Sequence, residues 1–242
     1  MPVIDFHSHV LPGIDDGSHN MEESLSMLRT SFSQGVNYIV ATSHFYATKH
    51  RISSFLEKRQ KVYDSLCSQI EEEKKNGEEF PEIILGAEVA FFPGISHSEH
   101  LEDLTFQNTD LLLLEMPYAV WTENDLKEIE YIINNRKIKV MLAHLERFLS
   151  ISGNKKAIQK LLCLPTYVQI NAGSFDSWKN CRQIWKILKK KDVIFLGSDC
   201  HGIHHRVPNL FSGRNVLEKK MGKEYMEKMD KAAERLLQLE GK

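Results

Sequence analysis

The 242 residues predict an α/β protein, a single domain of seven β/α units arranged as a small or distorted barrel. Three observations predict it. Short apolar runs alternate with longer helix-like segments along the whole chain. Several of those runs are apolar throughout, which suits strands covered on both faces of a parallel sheet. No internal repeat, low-complexity stretch or Gly/Ser-rich linker divides the chain.

The candidate strands fall at residues 3–6, 38–42, 83–89, 111–116, 139–142, 167–171 and 193–197, all rich in Val, Ile and Leu. Between the first two, Asn20 with Glu23 three residues later can form a capping box, and Gly35 sits where the helix should stop. Residues 53–75 read as a long amphipathic helix whose charged end, 71–75, is a solvated face before Asn76-Gly77. The link from 89 to 111 is less regular, with Pro93-Gly94 and a short turn of helix. Residues 125–134, 155–162, 181–190 and 223–239 are further helices.

Composition narrows the function. Hydrophobic content of 42% and charged content of 26% describe an ordinary soluble globular protein. A net charge of -2 offers no electrostatic footprint for nucleic acid. The first residues carry no charged segment followed by an apolar run, which argues against a signal peptide. No stretch approaches the roughly 18 apolar residues of a membrane span, so no stable membrane insertion is expected. Cys67, Cys163, Cys181 and Cys200 show no paired spacing, and a reducing, cytoplasmic setting follows.

The chemistry lies at the strand ends, where a β/α barrel builds its active site. The first strand runs into Asp5-Phe6-His7-Ser8-His9. Residues two apart in extended chain point the same way, so His7 and His9 can project together with Asp5 supporting them. A lone His-x-His is unspecific. Here it is followed by Asp15-Asp16-Gly17, Thr42-Ser43-His44, Gly86-Ala87-Glu88, Leu114-Glu115, Ala143-His144-Leu145-Glu146-Arg147, Gln169-Ile170-Asn171 and Ser198-Asp199-Cys200-His201. Asp16, Glu88, Glu115 and Asp199 bring four negative charges to one mouth, beside His7, His9, His44, His144 and His201. Cations are the natural compensation. Nine such donors exceed the about four to six contacts of one ion, so two or three divalent ions fit better. Three ions and a hydroxide would leave the pocket near +1, and Arg147 and Arg206 would raise it to about +3, which suits a phosphate dianion of charge near -2.

These motifs resemble the PHP (polymerase and histidinol phosphatase) metal-dependent family, and within it the bacterial tyrosine phosphatases of capsule and exopolysaccharide operons. The resemblance covers nearly all of residues 1–242, and the ordered set with Asp-Asp-Gly and His-x-Glu-Arg is specific. It implies a distorted (β/α)7, TIM-like barrel holding three metal ions, manganese, iron or zinc, with manganese first among them. By matched position it implies one ion held by His7, His9, Glu88 and Asp199. Glu88 would bridge to a second, held also by Glu115 and His144. Asp16, His44 and His201 would hold the third. Asp15 and Asp16 are adjacent candidates for that carboxylate. Arg147 and Arg206 would grip the phosphate, with His201 in the catalytic set. The implied substrate is phosphotyrosine on the tail of a cognate tyrosine autokinase that governs polysaccharide chain length.

A metal lowers the pKa of bound water toward about 7, which makes a nucleophile available at neutral pH. A tyrosine leaving group, with a pKa of about 10, needs less proton assistance than an alkoxide. The alternative within the same fold is a histidinol-phosphate or other small phosphomonoester phosphatase. A non-catalytic regulatory relative would be expected to have lost ligands. Cys200 and Arg206 have the five-residue separation of a cysteine phosphatase loop, but Val207-Pro208 follows the arginine where that chemistry needs a helix start. His97, His100, His19 and His50 read as surface residues, and His204 and His205 as solvent-facing or substrate-touching. Trp121, Trp178 and Trp185 read as packing residues, with Trp121 or Tyr118 able to line a groove for an aromatic substrate. Glu146 and Asn171 read as supports behind the ligands. The sequence leaves the oligomeric state open.

Overall fold

A computed structural model of the chain describes residues 1–240. Nine parallel strand segments make a curled sheet flanked by helices, a mixed α/β fold. β1 (Ile4–Ser8), β2 (Tyr38–Ala41) and β4 (Glu82–Leu85) pair in one group. β3 (His44–Phe45), β5 (Glu88–Ala90), β6 (Leu111–Glu115), β7 (Lys139–Leu142), β8 (Tyr167–Asn171) and β9 (Phe195–Gly197) pair in the other. The runs at 38–42 and 83–89, read as single strands, are each interrupted, at Thr42-Ser43 and Gly86-Ala87. Their register survives: Tyr38 faces Glu82, and beyond the break His44 faces Glu88 at the same offset. The freed carbonyl of Gly86 accepts a 2.6 Å hydrogen bond from Arg59 Nη1, which explains a buried arginine on a helix.

Both faces of the sheet are apolar, as the continuous runs required. Leu112, Leu114, Val140 and Leu142 pack with the helices in the larger core cluster. Leu111, Leu113 and Met141, of the opposite parity, join Ile4, Phe6, Val40 and Phe195 in a second cluster. Leu236, Leu237 and Leu239 at the end of the last helix cap that second cluster.

The helices follow the expected order with shifted ends. α1 (Met21–Ser33) is capped by Asn20, whose side chain accepts from the Glu23 N–H at 3.0 Å. Only half of the capping box forms, because the Glu23 carboxylate accepts from the His19 N–H instead. α2 (Ile52–Lys75) matches its prediction within a residue. α3 (Glu123–Tyr131) continues into a π-turn at Ile132–Arg136. α4 (Leu145–Phe148) is a single turn, followed by α5 (Lys155–Cys163) and α6 (Trp178–Leu188). The 89–111 link holds two 3₁₀ turns, Ile95–His97 and Leu101–Leu104. α7 (Leu210–Met221) is not among the predicted helices, and Gly213 sits in its first turn. A Cβ there would come within 2.6 Å of the Ala172 backbone, so the glycine serves packing against the chain after β8 rather than ending the helix. α8 (Lys223–Leu236) closes the described fold. No described helix is long and apolar enough to cross a membrane.

Two features position the strand ends. The register between β1 and β2 slips between Asp5 and Ser8, a bulge directly beneath the imidazoles, and bulges re-aim side chains at rims. The chain leaving β9 then hydrogen-bonds back to β1. The Asp199 N–H donates to the His7 carbonyl at 2.7 Å, and the His9 N–H to the Cys200 carbonyl at 2.9 Å.

Candidate metal centre

All nine predicted donor residues reach one place. Glu88, at the start of β5, is its centre and is almost fully buried. Its Oε2 lies 3.0 Å from His7 Nε2, 3.3 Å from His9 Nε2 and 3.0 Å from His44 Nδ1. Its Oε1 lies 2.8 Å from His144 Nε2, which is also 3.4 Å from Glu115 Oε1. One carboxylate therefore faces two groups of donors. Asp199 Oδ1 lies 3.6 Å from His7 Nε2 and 3.5 Å from His9 Nε2. Asp16 is 70% exposed in its side chain, with Oδ1 3.5 Å from His44 Nε2 and 3.7 Å from His201 Nε2. Three sets have donor atoms close enough to share an ion: His9, Asp16, His44 and His201; His7, His9 and Glu88; His44, Glu88 and Glu115.

The donor chemistry fits cations. Glu88 Oε2 and His44 Nδ1 are buried without a hydrogen-bond partner, although imidazole and carboxylate atoms crowd around them. Donors that approach at 3.0 to 3.6 Å without hydrogen-bond alignment are arranged around a space between them. The imidazole tautomers agree. His9 Nδ1 faces Asp15 Oδ2 at 2.8 Å and His7 Nδ1 faces Gln169 Oε1 at 3.0 Å, so both Nδ1 atoms carry protons. The two Nε2 lone pairs then face each other at 3.1 Å, which needs a proton or a metal ion between them.

Protonation shows the same demand for positive charge. Burial opposes charging of His9 and His144, yet their carboxylate partners outweigh it. His9 is held well above the ordinary histidine range and His144 is raised to about 9. Burial works against Glu88 and Asp199 too, but the surrounding imidazoles, with Arg147 beside Asp199, hold both well below the usual carboxylate range. His201 drops to about 4, through burial and the charge of His9 and Arg206, and burial lowers His44. Ions bound here would take the place of those protons. Oxygen and nitrogen donors without thiolate suit manganese, iron or zinc.

Both predicted arginines stand at Asp199. Arg147 Nη2 donates to Asp199 Oδ2 at 2.6 Å, and Arg206 Nη2 contacts Oδ1. Arg206 Nη1 also donates to His201 Nε2 at 2.9 Å, covering the lone pair that would ligate an ion. His144, Asp199 and Arg206 all have left-handed backbones, with φ of 30°, 52° and 50°. Non-glycine residues hold that conformation at a cost, and such strain gathers at functional sites.

The supports include residues whose roles the sequence hid. Asp15 accepts from His9 Nδ1, the Gly17 N–H and the His44 N–H, so it is spent on orientation while Asp16 faces the open side. Gln169 accepts from His7 and from the His144 N–H, and donates to Asn171, whose amide donates to Asp199 Oδ2 at 2.7 Å. Glu146 accepts from the Asn171 N–H and Ser174. Asp5 hydrogen-bonds His7 through the main chain and does not touch an imidazole nitrogen. It accepts instead from the His7 and Ser198 backbone N–H groups, knitting the first strand to the last. Burial raises its carboxyl to about 6.

Other expectations resolve differently. Cys200 is fully buried, and burial pushes its thiol far above the ordinary range, the reverse of a nucleophilic cysteine. Trp121 packs on Phe148 and donates to the Pro117 carbonyl. Trp178, read as a packing residue, is instead 78% exposed at the start of α6. Tyr118 is 75% exposed. His19, His50, His97, His100, His204 and His205 are exposed.

Comparison with known proteins agrees with this architecture. Residues 3–238 match the family described as capsular polysaccharide synthesis, CpsB/CapC. The tyrosine-protein phosphatase CpsB of Streptococcus agalactiae serotype III is 28% identical over 234 residues, covering 92% of each chain. The tyrosine-protein phosphatase YwqE of Bacillus subtilis is 25% identical over 242 residues, covering 97% of this chain and 91% of its own. A solved structure among those described as YwqE from Bacillus subtilis and CpsB from Streptococcus pneumoniae, unique metal-dependent tyrosine phosphatases, superposes with a TM-score of 0.84. It is 22% identical and covers 98% of this chain and 94% of that one, a likeness of fold. With almost its whole length matched, the chain belongs to the CpsB/CapC family of capsular polysaccharide synthesis.

Proposed function

We propose that this chain is a metal-dependent phosphomonoesterase that dephosphorylates tyrosine, acting on the phosphotyrosine-bearing tail of a tyrosine autokinase in capsule or exopolysaccharide synthesis. The names of its relatives support the substrate class. The observation that carries the chemistry is Glu88. It is a buried carboxylate with one oxygen turned to three imidazoles and the other to a fourth. We count the interrupted segments as single strands, which gives seven β/α units, and we assign three manganese, iron or zinc ions to the nine donors. His7, His9, Glu88 and Asp199 hold the first. Glu88, Glu115 and His144 hold the second. Asp16, His44 and His201 hold the third.

When bound, the ions supply Lewis acidity and a water of lowered pKa. The chain's own residues do the rest. Arg147 and Arg206, which hold Asp199, would be free to grip the phosphate oxygens where that carboxylate serves as a ligand. His201, whose Nε2 now accepts from Arg206 Nη1, would turn that nitrogen to the third ion once the arginine is engaged by the phosphate. The phenolate of tyrosine leaves readily, so the site needs orientation and charge more than a strong acid.

Metal analysis of purified protein, paired with hydrolysis of a phosphotyrosine peptide and of histidinol phosphate, tests this reading. Hydrolysis of the peptide is expected to dominate, to vanish with a chelator and to fall by about a hundredfold or more in Glu88→Gln. Cys200→Ser is expected to keep activity. A preference for histidinol phosphate would move the substrate assignment, and a fully active Glu88→Gln would end the metal reading.

A further inference from the structure

We propose that the face built from α5 and α6 docks the polypeptide flanking the phosphorylated tyrosine, and that it selects flanks that are acidic and apolar. This rests on the protein-phosphatase reading above. It extends that reading from the phosphate to the rest of the substrate.

Charge is the first observation. The chain carries -2 overall, yet nine of its 31 Lys and Arg, and one of its 33 Asp and Glu, fall between residues 149 and 191. Lys160 pairs with Glu123, and Lys191 donates to the Leu164 and Thr166 carbonyls. The other seven cations have no carboxylate within 4.0 Å among the described residues. Lysines at a helix end often serve only its dipole, and Lys186, Lys189 and Lys190 sit at the end of α6. What lies beneath them argues for more.

Lys155, Lys186, Lys189 and Lys190 rim a groove of about 540 Å³ between α5 and α6. Its floor is apolar, made by Leu149, Ile158, Leu162 and Ile187. An apolar trough under unpaired cations complements a segment that alternates acidic and apolar side chains. A concave floor admits a chain segment and not the flat face of a bilayer.

Proximity to the metal centre is the second observation. A smaller cavity of about 260 Å³ has Tyr118, Arg147, Lys179 and Gln183 in its lining, with the buried Glu146 held by Ser174 and the Asn171 N–H, and Gln183 also lines the large groove. Arg147 is the residue that holds Asp199. The two cavities adjoin at Gln183, so a peptide whose phosphate reaches Arg147 would pass Lys179 and cross Gln183 to enter the lysine-rimmed groove.

The test uses the full chain and a fluorescein-labelled, unphosphorylated peptide with a central tyrosine and a flank alternating Glu and Leu. A control peptide carries Gln for every Glu. Anisotropy is expected to show the Glu/Leu peptide binding about tenfold or more tightly than the control, an advantage that fades as salt rises from about 0.05 to about 0.5 M. The triple variant Lys186→Glu, Lys189→Glu, Lys190→Glu should lose that preference while hydrolysing p-nitrophenyl phosphate as the wild type does. Equal binding of the two peptides by the wild type, or an unchanged preference in the variant, would overturn the docking surface. So would lysine-dependent capture of phosphatidylglycerol vesicles with no binding of the peptide. Binding of the Glu/Leu peptide by a wild type that hydrolyses no phosphotyrosine would support the surface and overturn the phosphatase reading instead.

Discussion

Gln169 holds His7 by its hidden nitrogen: Oε1 of the amide lies 3.0 Å from Nδ1 of the imidazole and also accepts the His144 N–H at 2.8 Å. A backbone donor fixes that atom as the oxygen, which in turn fixes the proton on His7 Nδ1 and bares Nε2 toward Glu88. Gln169→Leu keeps the volume and removes the acceptor. It is expected to weaken metal retention by about 10- to 100-fold in a chelator competition, with the circular dichroism of the fold preserved. Unchanged retention would mean that packing alone orients the ring.

The adjacent aspartates should separate cleanly. Asp15 accepts from two backbone N–H groups and from His9, whereas Asp16 has no hydrogen bond to lose. Asp15→Ala is expected to lower both melting temperature and metal content, by about 1–3 kcal/mol in stability for the orphaned donors. Asp16→Ala is expected to leave the melting temperature of metal-free protein alone and to lower metal content. Equal effects in both measurements would contradict this division.

Gly197 gives His7 its room. A Cβ at that position would stand 2.5 Å from His7 Cβ and 2.7 Å from Gln169 Nε2. Gly197→Ala should therefore cost about 1–3 kcal/mol, read as a lower denaturant midpoint, and should cut phosphatase turnover by displacing the imidazole. A variant as stable and active as the wild type would show that the strand end can shift.

Asp5 predicts a slope of stability against pH. Its carboxyl is raised from 3.8 to about 6 in the fold, because burial penalises the charged form. The folded state therefore holds this proton more tightly than the unfolded chain does. Stability from this group is fully present below about pH 4 and is lost as pH rises to about 6, roughly 3 kcal/mol in all. Asp5→Asn, compared with wild type in metal-free buffer, should flatten that part of the curve. Parallel curves would place the titration elsewhere.

The donor residues were legible because strand ends in a parallel α/β fold point to one mouth, and their residue types are rare in apolar runs. His7, Glu88, Glu115 and Asp199 needed no more than that. Gln169 was not legible as a support, since a glutamine in an apolar strand gains meaning only from what stands opposite it. Asp15 and Asp16 are equivalent as letters, and only the backbone N–H groups of Gly17 and His44 distinguish them. The breaks at Thr42-Ser43 and Gly86-Ala87 were invisible because register, not composition, carries strands across them. Trp178 misled for the opposite reason: a large aromatic suggests a core, and nothing local reveals that its face is left uncovered.

The hydrogen bonds from Asp199 to His7 and from His9 to Cys200 join segments more than 190 residues apart. The histidines of the first strand meet Asp199 and His201 only once the intervening strands have folded. Without that last strand the cage is incomplete, and His7 with His9 alone can hold an ion only loosely, as a flexible pair. The full donor set is thus tied to the folding of the last strand, which carries Asp199 and His201. A chain ending near residue 190 lacks Asp199 and His201 and should bind manganese more weakly, and in smaller number, than the full chain.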